Sequence, residues 1–196
     1  MNQKFFQKEY VKKNLLDSNV EDRINLINNF DYDNYKALVK TEIYEDNDKY
    51  IYRQILYKNI RKYELNKEEL LEVAKSLEYL NSIGFVHGDI NRKNIIYTKE
   101  GFKIIDYEPS LLQIKNKKRQ LMVTLPYVDK KELKKEKITS LTDKIGLFYF
   151  IVRNLKKISA LDIVCLSHTL EHTRYIKENL NNLNYFEILE LAFTYK

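Results

Sequence analysis

No glycine occurs in the first 83 residues of this 196-residue chain, and only four occur in all, at 84, 88, 101 and 146. With only two prolines besides, the chain has few of the residues that interrupt regular structure, so long irregular stretches are not expected. Turns in the first part fall instead to clusters such as Asp17-Ser18-Asn19 and Glu45-Asp46-Asn47-Asp48, where Asn and Asp bond to their own backbone.

Between these clusters the hydrophobic pattern predicts the elements. Phe6, Tyr10, Val11 and Leu15 fall at helical spacing and predict a helix over 4–16. Residues 20–34 fit either a strand or a short helix. Residues 35–44 and 49–58, rich in β-branched and aromatic side chains, predict an antiparallel hairpin. At Asn66 the period changes: Asn66 with Glu69 reads as a capping box, and Leu70, Val73, Ala74, Leu77 and Leu80 share one face of a helix over 67–82. Gly84 supplies the left-handed residue after it. Two short strands, 94–98 and 102–106, follow around the turn Thr98-Lys99-Glu100-Gly101, then a basic loop over 109–139. Ser140 caps a helix that is apolar nearly all round and therefore buried, and 159–196 divides into two or three short helices. Strands early and helices late make an α+β chain.

The length allows one domain or two small lobes sharing a core. A composition of 44% hydrophobic and 32% charged residues excludes a disordered chain. The single cysteine, Cys165, excludes an internal disulfide and points to a reducing compartment. The start has no apolar run of signal-peptide length, and Ile145–Val152 is too short to cross a bilayer, so the expectation is cytoplasmic with no membrane span. Between Ile114 and Lys137 nine Lys or Arg stand against three acids, which accounts for the whole net charge of +6. Such a segment attracts an anionic partner or simply keeps the surface solvated. No aromatic residue interleaves Lys115–Gln120, so nucleic acid is not expected as a partner.

The stretch VHGDINRKNIIYTKEGFKIIDYE, residues 86–108, places Asp89, Asn94 and Asp106 around what is otherwise a hairpin. Phosphoryl transfer from a nucleotide needs a carboxylate to orient the attacking hydroxyl and accept its proton. It also needs hard oxygen ligands for Mg²⁺. One Asp, one Asn and a second Asp meet those needs, although the same residues also favour turns.

His87-Gly88-Asp89-Ile90-Asn91-Arg92-Lys93-Asn94 resembles the catalytic loop of the protein-kinase-like superfamily, His-x-Asp-x-x-x-x-Asn. Asp106-Tyr107-Glu108 stands where that family places Asp-Phe-Gly. Thr124-Leu125-Pro126-Tyr127-Val128 resembles the end of an activation segment, and Asp143 matches the Asp that anchors the loop from below. The resemblance implies a reduced two-lobed kinase-like fold: a truncated small lobe with an antiparallel hairpin over 1–60, and a mainly helical large lobe over 61–196. It implies Asp89 as the catalytic base, Asn94 and Asp106 as Mg²⁺ ligands, His87 as a brace, and ATP with Mg²⁺ as cofactors. The acceptor implied is a protein Ser or Thr, or else a sugar.

Three departures stand out. No glycine-rich phosphate loop precedes Gly84. The nucleotide lysine of the family's third strand is not evident; Lys40 in Ala37-Leu38-Val39-Lys40 resembles it, and if the opening segment is the helix after that strand, Glu9 is its ion-pairing acid. Glu108 replaces glycine. Gly88 and Asn91, where protein kinases carry Arg and Lys, resemble aminoglycoside phosphotransferases and lipopolysaccharide-core sugar kinases. These departures keep open a pseudokinase that binds or regulates without turnover, and a second chain that completes the small lobe. A separate chemistry is offered by His168-Thr169-Leu170-Glu171-His172, an inverted zinc-protease signature with Glu187 or Glu190 as the third ligand.

Overall fold

The computed structural model describes residues 4–60, 65–124, 127–157 and 179–195. The first element corrects the sequence expectation: Phe5–Val11 is a strand, β1, not a helix. Phe6 and Tyr10 are four residues apart, a spacing that suits one face of a helix and equally one face of a strand. Long-range pairing decides between them. β1 lies antiparallel to β3 (Lys49–Ile55), with Lys8 opposite Tyr52 and Tyr10 opposite Tyr50, and buries Tyr10 edge-on against Tyr52.

β2 (Thr41–Asp46) pairs with the other side of β3, giving the order β1-β3-β2. Central β3 buries Tyr50, Ile51, Tyr52 and Gln54. The ambiguous segment is helix α1 (Val20–Asn28), which turns Arg23, Ile24 and Ile27 inward. Its Asn28 closes the open edge of β2, donating to the Ile43 carbonyl at 2.8 Å and accepting from the Ile43 N–H at 2.7 Å.

The helical part is built on α2 (Lys67–Ser82), α4 (Ser140–Leu155) and α5 (Tyr185–Thr194). The expected face of α2 is buried at all five positions. Asn66 caps α2 through the Glu68 N–H at 2.9 Å, but Glu69 does not return to complete a box; it accepts from the Tyr97 hydroxyl at 3.0 Å. The cap of α4 is Thr139, one residue before the expected Ser140. β4 (Ile95–Thr98) and β5 (Gly101–Ile104) form the expected short hairpin. The basic stretch is more ordered than a loop: it folds into a second hairpin, β6 (Leu112–Lys115) with β7 (Lys118–Leu121), and a short helix α3 (Lys130–Lys135). Among the described residues no helix is long and apolar enough to cross a membrane.

Two backbone bonds are among the contacts that tie the segments flanking the sheet to the later part of the chain. The Ile104 N–H donates to the Ala37 carbonyl at 2.7 Å, and the Leu16 N–H donates to the Leu112 carbonyl at 2.8 Å. Both bring the sheet down onto the segments that flank residues 105–111.

Candidate active site

The loop after α2 is held from below by one buried carboxylate. Asp143, in the first turn of α4, accepts the His87 N–H and the Gly88 N–H, each at 2.7 Å. Burial pushes its carboxyl above the ordinary value, opposed by His87, by these two N–H groups and by Arg23. α4 reaches the loop this closely because residue 146 is glycine: a Cβ there would stand 2.4 Å from the Ile90 carbonyl oxygen.

His87 is fully buried and ties this loop to the strand returning from β5. Its Nδ1 accepts from the Asp89 N–H at 3.3 Å, which assigns the proton to Nε2, and Nε2 donates to the Ile105 carbonyl at 2.9 Å. Gly88 has φ +83°, a conformation that residues with a side chain rarely adopt, and a Cβ there would lie 2.7 Å from Leu111 Cδ2, so the Leu111 side chain would have to shift. Gly88→Ala should destabilise the chain by about 1–3 kcal/mol, read as a lower urea midpoint; an unchanged midpoint would show that the backbone relaxes freely.

Asp89 and Asn94 come together. The Asn94 side-chain amide donates to the Asp89 carbonyl and to Asp89 Oδ2, both at 2.8 Å. Asn94 Oδ1 accepts no hydrogen bond among the described residues. The other oxygen of Asp89, Oδ1, accepts the hydroxyl of Thr124, whose Oγ1 also accepts from Asn91 Nδ2 at 3.2 Å. A carboxylate fixed on one side by an amide and carrying an aliphatic hydroxyl on the other is a seat for an alcohol.

Asp106 follows one residue after Ile105, whose N–H donates to the Asn94 carbonyl at 2.9 Å. It adopts a left-handed φ of +67° and is half-buried. Its carboxylate is paired with Lys8 of β1, which also lies 3.5 Å from Glu108. Glu108 is buried; Gln113 donates to its Oε2 at 3.1 Å, and Arg23 Nε donates to its carbonyl at 2.6 Å. Arg23 lies over the Phe85 ring at 4.1 Å, and burial lowers its pKa to about 10, so it stays cationic at neutral pH. Tyr107 is fully buried between Phe30, Phe85 and His87 and donates to the Ile104 carbonyl at 2.8 Å.

The sequence expectation thus missed two members of this cluster, Lys8 and Thr124 as the hydroxyl on Asp89; Glu108, noted only as replacing glycine, stands beside Lys8 as a second acid. Two residues expected near the site are elsewhere. Lys40 is exposed just before β2 and makes no ion pair among the described residues. Glu9 is on β1 and pairs with Lys49 across the exposed face of the sheet at 2.8 Å, so it is not an acid on a helix. The alternation of Phe6, Lys8 and Tyr10 was the available signal for Lys8. Residues 165–172 lie outside the described residues. The acids suggested as a third zinc ligand are engaged otherwise, Glu187 in the capping box of α5 and Glu190 with Lys67. No group of three or more His, Cys, Asp or Glu side chains gathers as a metal cluster among the described residues.

No protein-family model and no curated protein matches this sequence. Among solved structures, the chain is similar to the Cydia pomonella granulovirus kinase PK-1, with a TM-score of 0.60 at 13% identity. The match spans 96% of this chain and 84% of that one. The chain has a protein-kinase-like fold. α1 brings Arg23 inward, and the acids facing Lys8 come from the 106–108 segment.

Proposed function

We propose that the chain is a phosphotransferase that moves the terminal phosphoryl group of ATP to a hydroxyl, with a protein Ser or Thr as the first acceptor class and a sugar as the second. One observation carries this reading: Asp89, fixed by Asn94, already holds an aliphatic hydroxyl, that of Thr124. A carboxylate oxygen has room for two hydrogen bonds, so an acceptor hydroxyl joins Thr124 on Oδ1. Asp89 orients it and takes its proton as the new O–P bond forms and ADP leaves.

Lys8 serves as the phosphate-binding cation, the role that the resemblance to kinases suggested for Lys40. The Asp106 carboxylate and Asn94 Oδ1 are both hard oxygen donors, which fits Mg²⁺ bound through few protein ligands. Mg²⁺ bound there would neutralise charge on the phosphate oxygens. For Asp106 to act as a ligand, Lys8 must leave it; Glu108, 3.5 Å away, keeps the ammonium close. His87 and Asp143 hold the loop in place for these groups.

Lys8→Met is expected to weaken MgATP binding about 10- to 100-fold, the loss of one charge-assisted contact. Calorimetric titration checks this, and unaltered affinity would remove Lys8 from the site. A binding module without turnover is the second reading. It is favoured by the ion pair that Lys8 makes with Asp106, which occupies the carboxylate a metal would need. MgATP raising the melting temperature with no phosphate released or transferred would select the module; turnover that is abolished in Asp106→Asn would select the enzyme.

A further inference from the structure

From residue 109 to residue 128 the chain carries no acidic residue but four cations, Lys115, Lys117, Lys118 and Arg119. All four are exposed on the β6–β7 hairpin. Arg119 pairs with Glu136, whereas Lys115, Lys117 and Lys118 have no acidic partner among the described residues.

Taken alone, this hairpin is unfavourable in three ways. Its register sets Lys115 directly opposite Lys118, and like charges across a strand pair repel. Its turn places Lys117 at φ +62°, a conformation that Gly or Asn adopts at lower cost. Ile114 near its tip is 38% exposed. An anion lying along the hairpin relieves the first of these, the largest in charge.

The hairpin is also built into the site. Gln113 at its base donates to the Glu108 carboxylate, and the Met122 N–H donates to the Leu111 carbonyl at 2.7 Å. Leu111 packs on Gly88. Three residues beyond β7, Thr124 holds Asp89. Lys118 and Arg119 precede Thr124 by six and five residues, at most about 20 Å of chain.

We propose that the β6–β7 hairpin is a docking surface for an acidic stretch of polypeptide flanking the acceptor Ser or Thr. This rests on the phosphotransferase reading and narrows its substrate to acidic protein segments. A polypeptide is favoured over nucleic acid because residues 109–126 contain no aromatic ring on which a base could stack. β7 pairs only with β6 among the described residues, so its outer edge offers backbone groups to an extended peptide. Four strand residues span about 13 Å, the length of about four residues of that peptide.

The test uses fluorescent Thr peptides identical except that the flanking residues are Asp/Glu, Gln or Lys. Anisotropy is read without nucleotide at low and high salt, and phosphoryl transfer is read with MgATP. The acidic peptide should bind about tenfold tighter than the Gln peptide at low salt, with the difference collapsing at high salt. The combined Lys115→Glu, Lys117→Glu, Lys118→Glu variant should lose the preference while keeping the wild-type melting temperature. Equal binding of the acidic and Gln peptides, a preference untouched by the triple variant, or displacement by a single-stranded oligonucleotide at lower concentration than by unlabelled acidic peptide would overturn the proposal. Acidic-peptide preference without transfer upholds the docking surface and sinks the phosphotransferase reading. Transfer that ignores flanking charge does the reverse.

Discussion

Replacing Asp89 by Asn should lower phosphoryl transfer by about 10²- to 10⁴-fold, the range expected when a positioned base is lost, while MgATP binding persists. The substitution preserves shape. The Asn94 amide and the Thr124 hydroxyl now meet separate oxygens of Asp89; an Asn at position 89 can still accept the Asn94 amide on its carbonyl and donate its NH₂ to the Thr124 hydroxyl oxygen, but it cannot take a proton. Asp89 is only half-buried, so the melting temperature should stay near the wild-type value. Transfer assays with radiolabelled ATP, together with a melting curve, separate the outcomes. Wild-type turnover in the variant would exclude Asp89 as the base, whereas a large drop in melting temperature would make the loss of activity a folding effect.

The second large effect concerns stability. Asp143→Ala strips the acceptor from two buried N–H groups, those of His87 and Gly88. Each unsatisfied donor costs about 1–3 kcal/mol, so the variant should be less stable by roughly 3 kcal/mol. For a chain of this size that corresponds to a fall in melting temperature of about 6–12 °C. It also leaves Arg23 without one of the carboxylates that offset its burial. Asp143→Asn restores one acceptor and should recover part of the loss. A melting temperature within about 2 °C of wild type in the Ala variant would mean that the loop is carried by its other contacts, chiefly the His87 bond to Ile105.

These two effects act on different links of one chain of cause. Asp143 shapes the loop, and the loop presents Asp89. Between them stands Gly88, which a side chain would force away from Leu111. The ion pairs at the other side of the site are arranged differently from the expectation drawn from sequence. α1 contributes Arg23, bound to the Glu108 carbonyl, and Lys8 faces Asp106 and Glu108. Glu108, where the sequence departs from glycine, is thereby a buried partner of Lys8.

Several features were legible in the amino-acid order because their physics is local. The buried face of α2 follows from the spacing of Leu70, Val73, Ala74, Leu77 and Leu80. Gly84 turns left-handed directly after that helix, at φ +77°, and the meeting of Asp89 with Asn94 needs only the tight loop between them. What tertiary structure alone decided are the elements whose local pattern was ambiguous and the contacts made over long sequence separations. Phe6 and Tyr10 suit a helix and a strand alike, and only pairing with β3, some forty residues away, makes β1 a strand and turns Lys8 toward Asp106. The basic stretch after Glu108 read as a loop because its charges mask the pairing that folds it into β6 and β7. The hydroxyl of Thr124 reaches Asp89 across 35 residues of sequence. Residue spacing does not reveal such a contact, since it exists only once the hairpin base and the loop above Asp143 are packed together.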